Sequence, residues 1–237
     1  MTTEEQALLA AVLARPDDDL PRLVYADYLE ELGTEHQVAR AEFIRLQCAL
    51  TEVNELSHPQ RAAWQIRERV LLNRFGPTWL APLRERGQPL FTPRSHGQFR
   101  RGFVEILWMP AGWFVDKARK IDRTIPVREL RLTHVTPDDL LQLTRCEELG
   151  RIRTLDISDR RLGNDATLLI CHSIFLEQLR VLRLRACDLD DDIVDDLLRP
   201  TAGWKLMELD VSLNRFSDEG LARLHAAYKD RTLHTTA

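Results

Sequence analysis

The sequence predicts an α/β fold in which a short solenoid, with parallel strands inside and helices outside, follows an all-helical N-terminal module. An aliphatic pattern recurs four times between residues 127 and 216, and apolar residues at helical spacing occupy most of residues 2–75. A loop-forming stretch at 92–98 separates the two regions. We therefore predict a helical module over residues 1–91 and a repeat domain over residues 99–237.

Each copy of the pattern has an aliphatic residue, two variable residues, a second aliphatic, one variable residue and a third aliphatic. The middle aliphatic is always a leucine, and the steps between copies are 25, 27 and 27 residues: Leu130, Leu155, Leu182 and Leu209. This period is typical of repeats that contain one strand and one helix. The four units cover residues 125–228, a degenerate unit covers 99–124, and a short tail follows.

Polar residues follow the predicted strands where the chain turns towards each helix. Cys187 and Asn214 lie three residues after the last aliphatic of their copies, where their side chains can satisfy backbone groups. Helix-capping residues then open the last three helices: Asn164-Asp165, Asp190-Asp191 and Ser217-Asp218.

These residues resemble the ribonuclease-inhibitor type of leucine-rich repeat, whose long units place a helix on the outside of a curve. The resemblance covers roughly residues 103–228. It implies that the chain binds a partner, usually a protein, through the inner face of the strands, and it identifies no partner. We expect a non-enzymatic adaptor or recognition element.

The N-terminal region predicts four helices. They run from Thr2 to Pro16, from Leu20 to Leu32 with a stop at Gly33, over about 35–55, and over 60–75 with a stop at Gly76-Pro77. Three stretches, 16–19, 21–31 and 41–48, resemble the repeat-companion domain, a short bacterial module found ahead of repeats. The resemblance covers about the first 50 residues and implies a bacterial protein, without an established activity.

A helical wheel of the second helix places Asp27 between Leu20 and Leu23, inside the apolar stripe. A buried carboxylate needs a partner, because burial of an unpaired charge is costly. We expect Asp27 to pair with Arg22, Arg45 or backbone amides of a neighbouring turn. The alternative is a contact or catalytic role.

Both ends of the repeat domain carry predictions of their own. Residues Phe99 to Trp108 predict one strand, followed by a helix over 111–121, and their aromatic side chains would close the first end. At the second end, no amphipathic cap follows the strand at 206–211, and only residues 229–237 remain after the last helix. An uncovered strand edge invites pairing, so we predict weak self-association or docking of a second protein there.

Residues between the aliphatics of a strand point to the opposite face, which predicts a polar inner face. Its central column, at positions 131, 156, 183 and 210, alternates in charge between neighbouring strands. The four charges either neutralise one another at a solvated surface or form a directional surface for a partner. The predicted partner-binding residues are Glu129, Arg131, Thr133, Thr154, Asp156, Ser158, Arg183, Arg185, Glu208, Asp210 and Ser212.

Residues 91–124 carry seven basic and three acidic residues in a chain whose formal net charge is −4. Arg94, Arg100 and Arg101 flank an apolar strand and a loop, so they are the candidate contacts for a polyanion. A solvated rim is the other interpretation, because no RNA-binding motif accompanies them. A nucleic-acid-contacting accessory protein is thus the alternative function.

The sequence has no Gly-rich phosphate loop, no His-Glu-x-x-His motif and no Gly-x-Ser-x-Gly motif. We predict no catalytic residue, no metal and no cofactor. Cys171 is followed by His172, but adjacent residues of a helix point in different directions. The acidic run from Asp188 to Asp196 lacks the spacing of a calcium-binding loop, and a solvated helix start explains it.

The chain has four cysteines that lie far apart in the sequence, and it has no signal-like N-terminus and no long apolar run. These features predict reduced thiols in a cytoplasmic protein that has no membrane segment.

Overall fold

A computed structural model describes residues 2–52, 59–80, 97–158, 161–174, 177–199 and 205–236, and the backbone of 84–85 and 88–89. The chain divides into two compact units. Unit 1 contains Met1–Leu107 and Lys120–Pro126, and unit 2 contains Trp108–Arg119 and Val127–Ala237. Most of the loop predicted at 92–98 lies outside the described residues.

Four helices form most of unit 1: α1 (Thr3–Ala14), α2 (Leu20–Leu32), α3 (Glu35–Glu52) and α4 (Arg61–Trp79). The Thr2 hydroxyl caps α1 by accepting a hydrogen bond from the Glu5 amide at 3.1 Å. Gly33 ends α2 in the left-handed conformation, with φ 72°. Both helix ends confirm the sequence prediction, because each depends on local residue chemistry.

The stop predicted at Gly76-Pro77 is wrong, because α4 continues through Pro77 to Trp79. Proline removes one backbone hydrogen bond from a helix, but packing can offset that loss. The Trp79 ring centroid lies 4.7 Å from that of Phe43 and 6.2 Å from that of Phe99. These contacts hold the last turn of α4 in the core of unit 1.

The four strands that follow pair in two antiparallel hairpins: β1 (Arg84–Glu85), β2 (Gln88–Pro89), β3 (Gly97–Arg100) and β4 (Phe103–Pro110). The single strand predicted over 99–108 is therefore wrong. The chain reverses at Arg101 and Gly102, which have φ values of 48° and 84°. A Cβ atom at position 102 would also lie 2.8 Å from the Ile44 Cα, so the turn requires glycine.

Parallel strands and short helices form most of unit 2. The strands are β5 (Glu129–Thr133), β6 (Thr154–Asp156), β7 (Val181–Arg183), β8 (Glu208–Asp210) and β9 (Thr232–His234). The helices are α5 (Ala111–Asp122), α6 (Pro137–Leu143), α7 (Gly163–Cys171), α8 (Val194–Leu198) and α9 (Asp218–Ala227). In the part of the chain that the structure describes, β3 to β9 form one seven-stranded sheet in chain order. The fold is α/β, as predicted.

The four repeat leucines lie in one row of the sheet. Leu130 is paired with Leu155, Leu155 with Leu182, and Leu182 with Leu209. All four side chains are fully buried. The predicted row is thus confirmed, because side chains two residues apart share a face and the repeat spacing keeps the strands in register.

The uncovered edge predicted at the second end is wrong. The tail forms β9, which pairs in parallel with β8 and places Leu233 opposite Leu209. The amide of Val211 donates to the His234 carbonyl at 2.9 Å, so β8 has a backbone partner on that side. Self-association through β8 therefore loses its structural basis. Among the described residues, no helix is both long enough and apolar enough to span a membrane.

Candidate interaction surface

The strand residues on either side of the buried leucines form two columns on the opposite face of the sheet. The register aligns one column before the leucines, Glu129, Thr154, Val181 and Glu208, and a second after them, Arg131, Asp156, Arg183 and Asp210. All eight side chains are partly exposed. We call these two columns, together with Thr133, Ser158, Arg185 and Ser212 beside them, the inner polar face. Ten of the eleven predicted partner-binding residues keep part of their surface exposed on it, whereas Ser212 is buried, at 4% exposure.

Arg131 and Arg183 pair with glutamates of the first column. The Arg131 guanidinium lies 2.6 Å from the Glu129 carboxylate. Arg183 bridges the two glutamates, at 3.7 Å from Glu129 and 3.2 Å from Glu208. Among the described residues, the direct ion pairs of the central column therefore run across to the neighbouring column and not along the column itself.

The aspartates of the central column accept hydrogen bonds from their own strand ends. Asp156 Oδ1 accepts from the Ser158 amide at 3.0 Å. Asp210 Oδ1 accepts from the Ser212 amide at 3.0 Å and from the Ser212 hydroxyl at 2.5 Å. An aspartate that bonds the amide two residues ahead forms a local turn and keeps its charge. Neither carboxylate has a cationic partner among the described residues.

Two residues that the sequence analysis does not predict, Trp108 and His234, extend this face. The Arg131 guanidinium carbon lies 5.1 Å from the ring centroid of Trp108, which is partly exposed. His234 lies opposite Asp210 in the register and 3.9 Å from the Glu208 carboxylate. The sequence predicts that Trp108 closes the first end of the repeat domain and that residues 229–237 are a tail. It therefore gives no signal for either contact.

The turns after the strands confirm the role predicted for Asn214. Its Oδ1 accepts hydrogen bonds from the amides of Cys187 at 2.9 Å and Leu189 at 3.1 Å. Its Nδ2 donates to the carbonyls of Leu184 and Val211, both at 2.8 Å. One side chain thereby joins two consecutive turns, which fixes the strand ends of the inner polar face.

The predicted helix caps are confirmed at two of three positions. The carboxylate of Asp190 accepts from the Asp192 amide, and the Ser217 hydroxyl accepts from the Gly220 amide. Asn164 is not a cap, because α7 begins at Gly163. The Asn164 amide group instead donates to Asp190 of the next turn at 2.6 Å.

Asp27 pairs with Arg45 at 2.6 Å, as expected, but it lies at the surface with 66% of its side chain exposed. Its predicted place in the apolar stripe is therefore wrong. The buried charged residue of α2 is Arg22, which lies 2.6 Å from the equally buried Glu105. Leu20 is 60% exposed, so the stripe used to place Asp27 does not face the core.

The candidate polyanion contacts differ in their surroundings. Arg94 lies outside the described residues, and Arg100 is exposed. Arg101 is only 13% exposed and lies 3.0 Å from the Glu105 carboxylate and 3.3 Å from that of Asp19. A phosphate group would have to displace these carboxylates in order to bind Arg101.

The side chains considered for chemistry already have structural partners. Burial raises the pKa of the Cys171 thiol to about 12, so it stays protonated at neutral pH. The neighbouring His172 ring nitrogens contact Asp196 at 2.9 Å and Arg199 at 3.4 Å. In the acidic run, Asp191 accepts from the Ser217 amide at 2.9 Å. Within the described residues, no group of three or more histidine, cysteine or acidic side chains could hold a metal ion.

Comparison with known proteins identifies no relative: no protein-family model matches the chain, and no curated protein matches it significantly.

Proposed function

We propose that this chain is a non-enzymatic interaction protein that binds a partner protein through the inner polar face. In this proposal unit 2 is a leucine-rich-repeat arc of the ribonuclease-inhibitor type, and residues 1–91 are a repeat-companion module that caps it. The chain acts as an adaptor or recognition element in a bacterial cell. The partner is a bacterial protein.

The observation that carries the proposal is a row of partly exposed polar side chains held above a row of fully buried leucines. Arg131 and Arg183 are already oriented by Glu129 and Glu208. Ordering side chains on binding costs about 0.5–1.5 kcal/mol for each flexible one. A face that is ordered beforehand avoids much of this cost, so it favours recognition of a partner.

The charges of the face indicate what a partner would present. Glu129 and Glu208 form ion pairs with the two arginines, whereas neither Asp156 nor Asp210 forms an ion pair in the described structure. The aspartates lie two strands apart, or roughly 10 Å at the usual strand spacing. A partner with basic side chains at about that separation would complement them.

Site-specific photo-crosslinking in cells of the source organism tests the proposal. A photoreactive residue replaces Thr154 or Val181, two uncharged positions on the face. A matched replacement at Arg223, an exposed position on α9, is the control. We expect one protein to be crosslinked from both face positions and not from the control position.

The purified crosslinked protein then allows a direct binding measurement. Removal of both charges by Asp156→Asn and Asp210→Asn should weaken its affinity about tenfold or more, while the fold is kept. Crosslinking to the same protein from position 223 alone would place the contact elsewhere on unit 2. Affinity unchanged by both the aspartate variants and alanine at Arg131 and Arg183 would disprove binding through the face.

The nucleic-acid alternative has less support, since Arg101 is engaged by Glu105 and Asp19. Fluorescence anisotropy with labelled RNA and DNA at low and high salt decides it, because phosphate contacts weaken steeply with salt.

A further inference from the structure

Arg40 of α3 lies among four aromatic rings of unit 1. Its guanidinium carbon is 4.7 Å from the Trp79 ring centroid and 5.2 Å from that of Phe99. The centroids of Phe103 and Phe43 lie at 5.3 Å and 5.7 Å. Aromatic faces attract a cation, but they supply neither a negative charge nor a strong hydrogen-bond acceptor.

Arg40 differs in this respect from Arg22, a fully buried arginine of α2. Arg22 reaches the Glu105 carboxylate at 2.6 Å, the Pro16 carbonyl at 2.6 Å and the Arg101 carbonyl at 3.0 Å. For Arg40, the described residues offer no carboxylate, and burial lowers the pKa of its guanidinium to about 10. Enclosing a cation without an anion is unfavourable. The surroundings of Arg40 therefore lack the anion that would stabilise its charge.

The neighbours of Arg40 carry unpaired polar atoms as well. Within the described chain, Arg40 Nη1, Trp79 Nε1 and His36 Nε2 are buried and make no hydrogen bond. His36 lies one helical turn before Arg40, and its ring centroid is 6.4 Å from that of Trp79. Since buried polar atoms are normally paired, the two unpaired donors on Arg40 and Trp79 indicate a missing acceptor.

We infer that Arg40, Trp79 and His36 form a binding site for an oxyanion, either a carboxylate or a phosphate group. The guanidinium and indole N–H groups would donate to its oxygens, and the imidazole donates when its proton is on Nε2. The three residues each keep part of their surface exposed, so the cluster is not sealed from solvent. A water molecule could also accept these bonds, but it would bring no charge.

Nuclear magnetic resonance of the full chain tests the site directly. The indole N–H signal of Trp79 is assigned by its loss in Trp79→Phe and followed during titration with sodium phosphate, sodium acetate or sodium chloride at constant ionic strength. We expect a saturable shift with an oxyanion and none with chloride. A response to acetate alone indicates a carboxylate ligand, and a response to phosphate alone indicates a phosphate ligand.

Thermal unfolding supplies a second readout. At about 100 times the dissociation constant, the bound anion should raise the unfolding midpoint by roughly 5–10 °C. Arg40→Met should abolish both responses. Arg74→Met is the matched control, because Arg74 also lies over a ring, 4.9 Å from Phe75, but has a carboxylate partner in Glu35.

Two results would overturn the site. One is a wild-type Trp79 signal and unfolding midpoint that respond to neither oxyanion beyond chloride. The other is a response retained in Arg40→Met or lost equally in Arg74→Met. If Arg40→Met does not fold, the wild-type titration and Arg40→Lys, which keeps the charge but loses the planar fork, decide the matter. The site is independent of partner binding by the inner polar face.

Discussion

The two units use charged side chains in opposite ways. In unit 1, Arg22 and Glu105 are buried, with 0% and 1% of their side chains exposed, and lie 2.6 Å apart. In unit 2, Arg183 and Glu208 are 3.2 Å apart, but each keeps over a quarter of its side chain exposed, at 29% and 28%. A buried pair fixes which segments meet, whereas a solvated pair contributes little to stability and stays accessible.

The surroundings of each pair explain the difference. Arg22 also binds the carbonyls of Pro16 and Arg101, so it joins the start of α2 to the turn between β3 and β4. On the inner polar face, the Arg183 side chain pairs with the carboxylates of Glu129 and Glu208. The ion pair of unit 1 thus helps to specify the fold, whereas the ion pair of unit 2 lies at the surface.

Glu105→Ala should cause the largest loss of stability, about 3–5 kcal/mol in the free energy of unfolding. The substitution leaves the buried Arg22 guanidinium without its carboxylate and removes a partner of Arg101. Urea denaturation followed by circular dichroism measures the loss. Glu105→Gln is the control, since it keeps an acceptor of similar shape and should lose less. A loss below about 1 kcal/mol for Glu105→Ala would mean that the pair is no more important than a surface pair.

Leu182→Ala should show that unit 2 takes its stability from the leucine row. Leu182 is fully buried between Leu155 and Leu209 in the register, so its truncation leaves a cavity. We expect a loss of about 2–5 kcal/mol in the free energy of unfolding, from urea denaturation. Leu233→Ala at the half-buried end of the row is the matched control and should lose less. Equal losses at the two positions would contradict a row with a buried centre.

The leucine row and the Asn214 turn could be predicted from the sequence, because both follow from residue types at fixed local spacing. The strand β9 could not. It has one apolar residue, Leu233, and forms because β8 offers unpaired backbone groups to the tail. The inner polar face was predicted residue by residue, but its pairing was not, since Glu129 and Arg183 meet only through register.

In unit 1 the error at Asp27 has a physical origin outside helix α2. A helical wheel with an apolar stripe through Leu20 puts Asp27 inside and offers Arg22 as one of its partners, but Leu20 is exposed. The buried face of α2 instead includes Arg22, which Glu105 makes possible from a distant strand. A helical wheel contains no information on a partner so far along the chain. A helical wheel gives no signal for the Arg40 cluster for the same reason, because its rings come from four separate elements, α3, α4, β3 and β4.

Asn214→Ala should cause an intermediate loss in the free energy of unfolding. It removes partly buried hydrogen bonds, but it leaves no buried charge without a partner. The amides of Cys187 and Leu189 would lose their acceptor. We expect a loss of about 1–3 kcal/mol, measured by urea denaturation. Asn214→Asp keeps the acceptor and loses the donor, so it should fall between wild type and alanine. An aspartate variant as unstable as the alanine variant would show that the donated bonds to Leu184 and Val211 matter most.

Glu208→Ala should have the smallest effect on stability and thereby complete the comparison with Glu105→Ala. Its partner Arg183 keeps Glu129 at 3.7 Å and stays in contact with water, so no charge is left buried and unpaired. We expect a change of about 0–1 kcal/mol in the free energy of unfolding, becoming smaller at high salt because exposed ion pairs are screened. Parallel urea denaturation at low and at high salt measures both. A loss comparable with that of Glu105→Ala would show that the inner polar face contributes to folding, and a partner could then no longer use Arg183 without destabilising the strands beneath it.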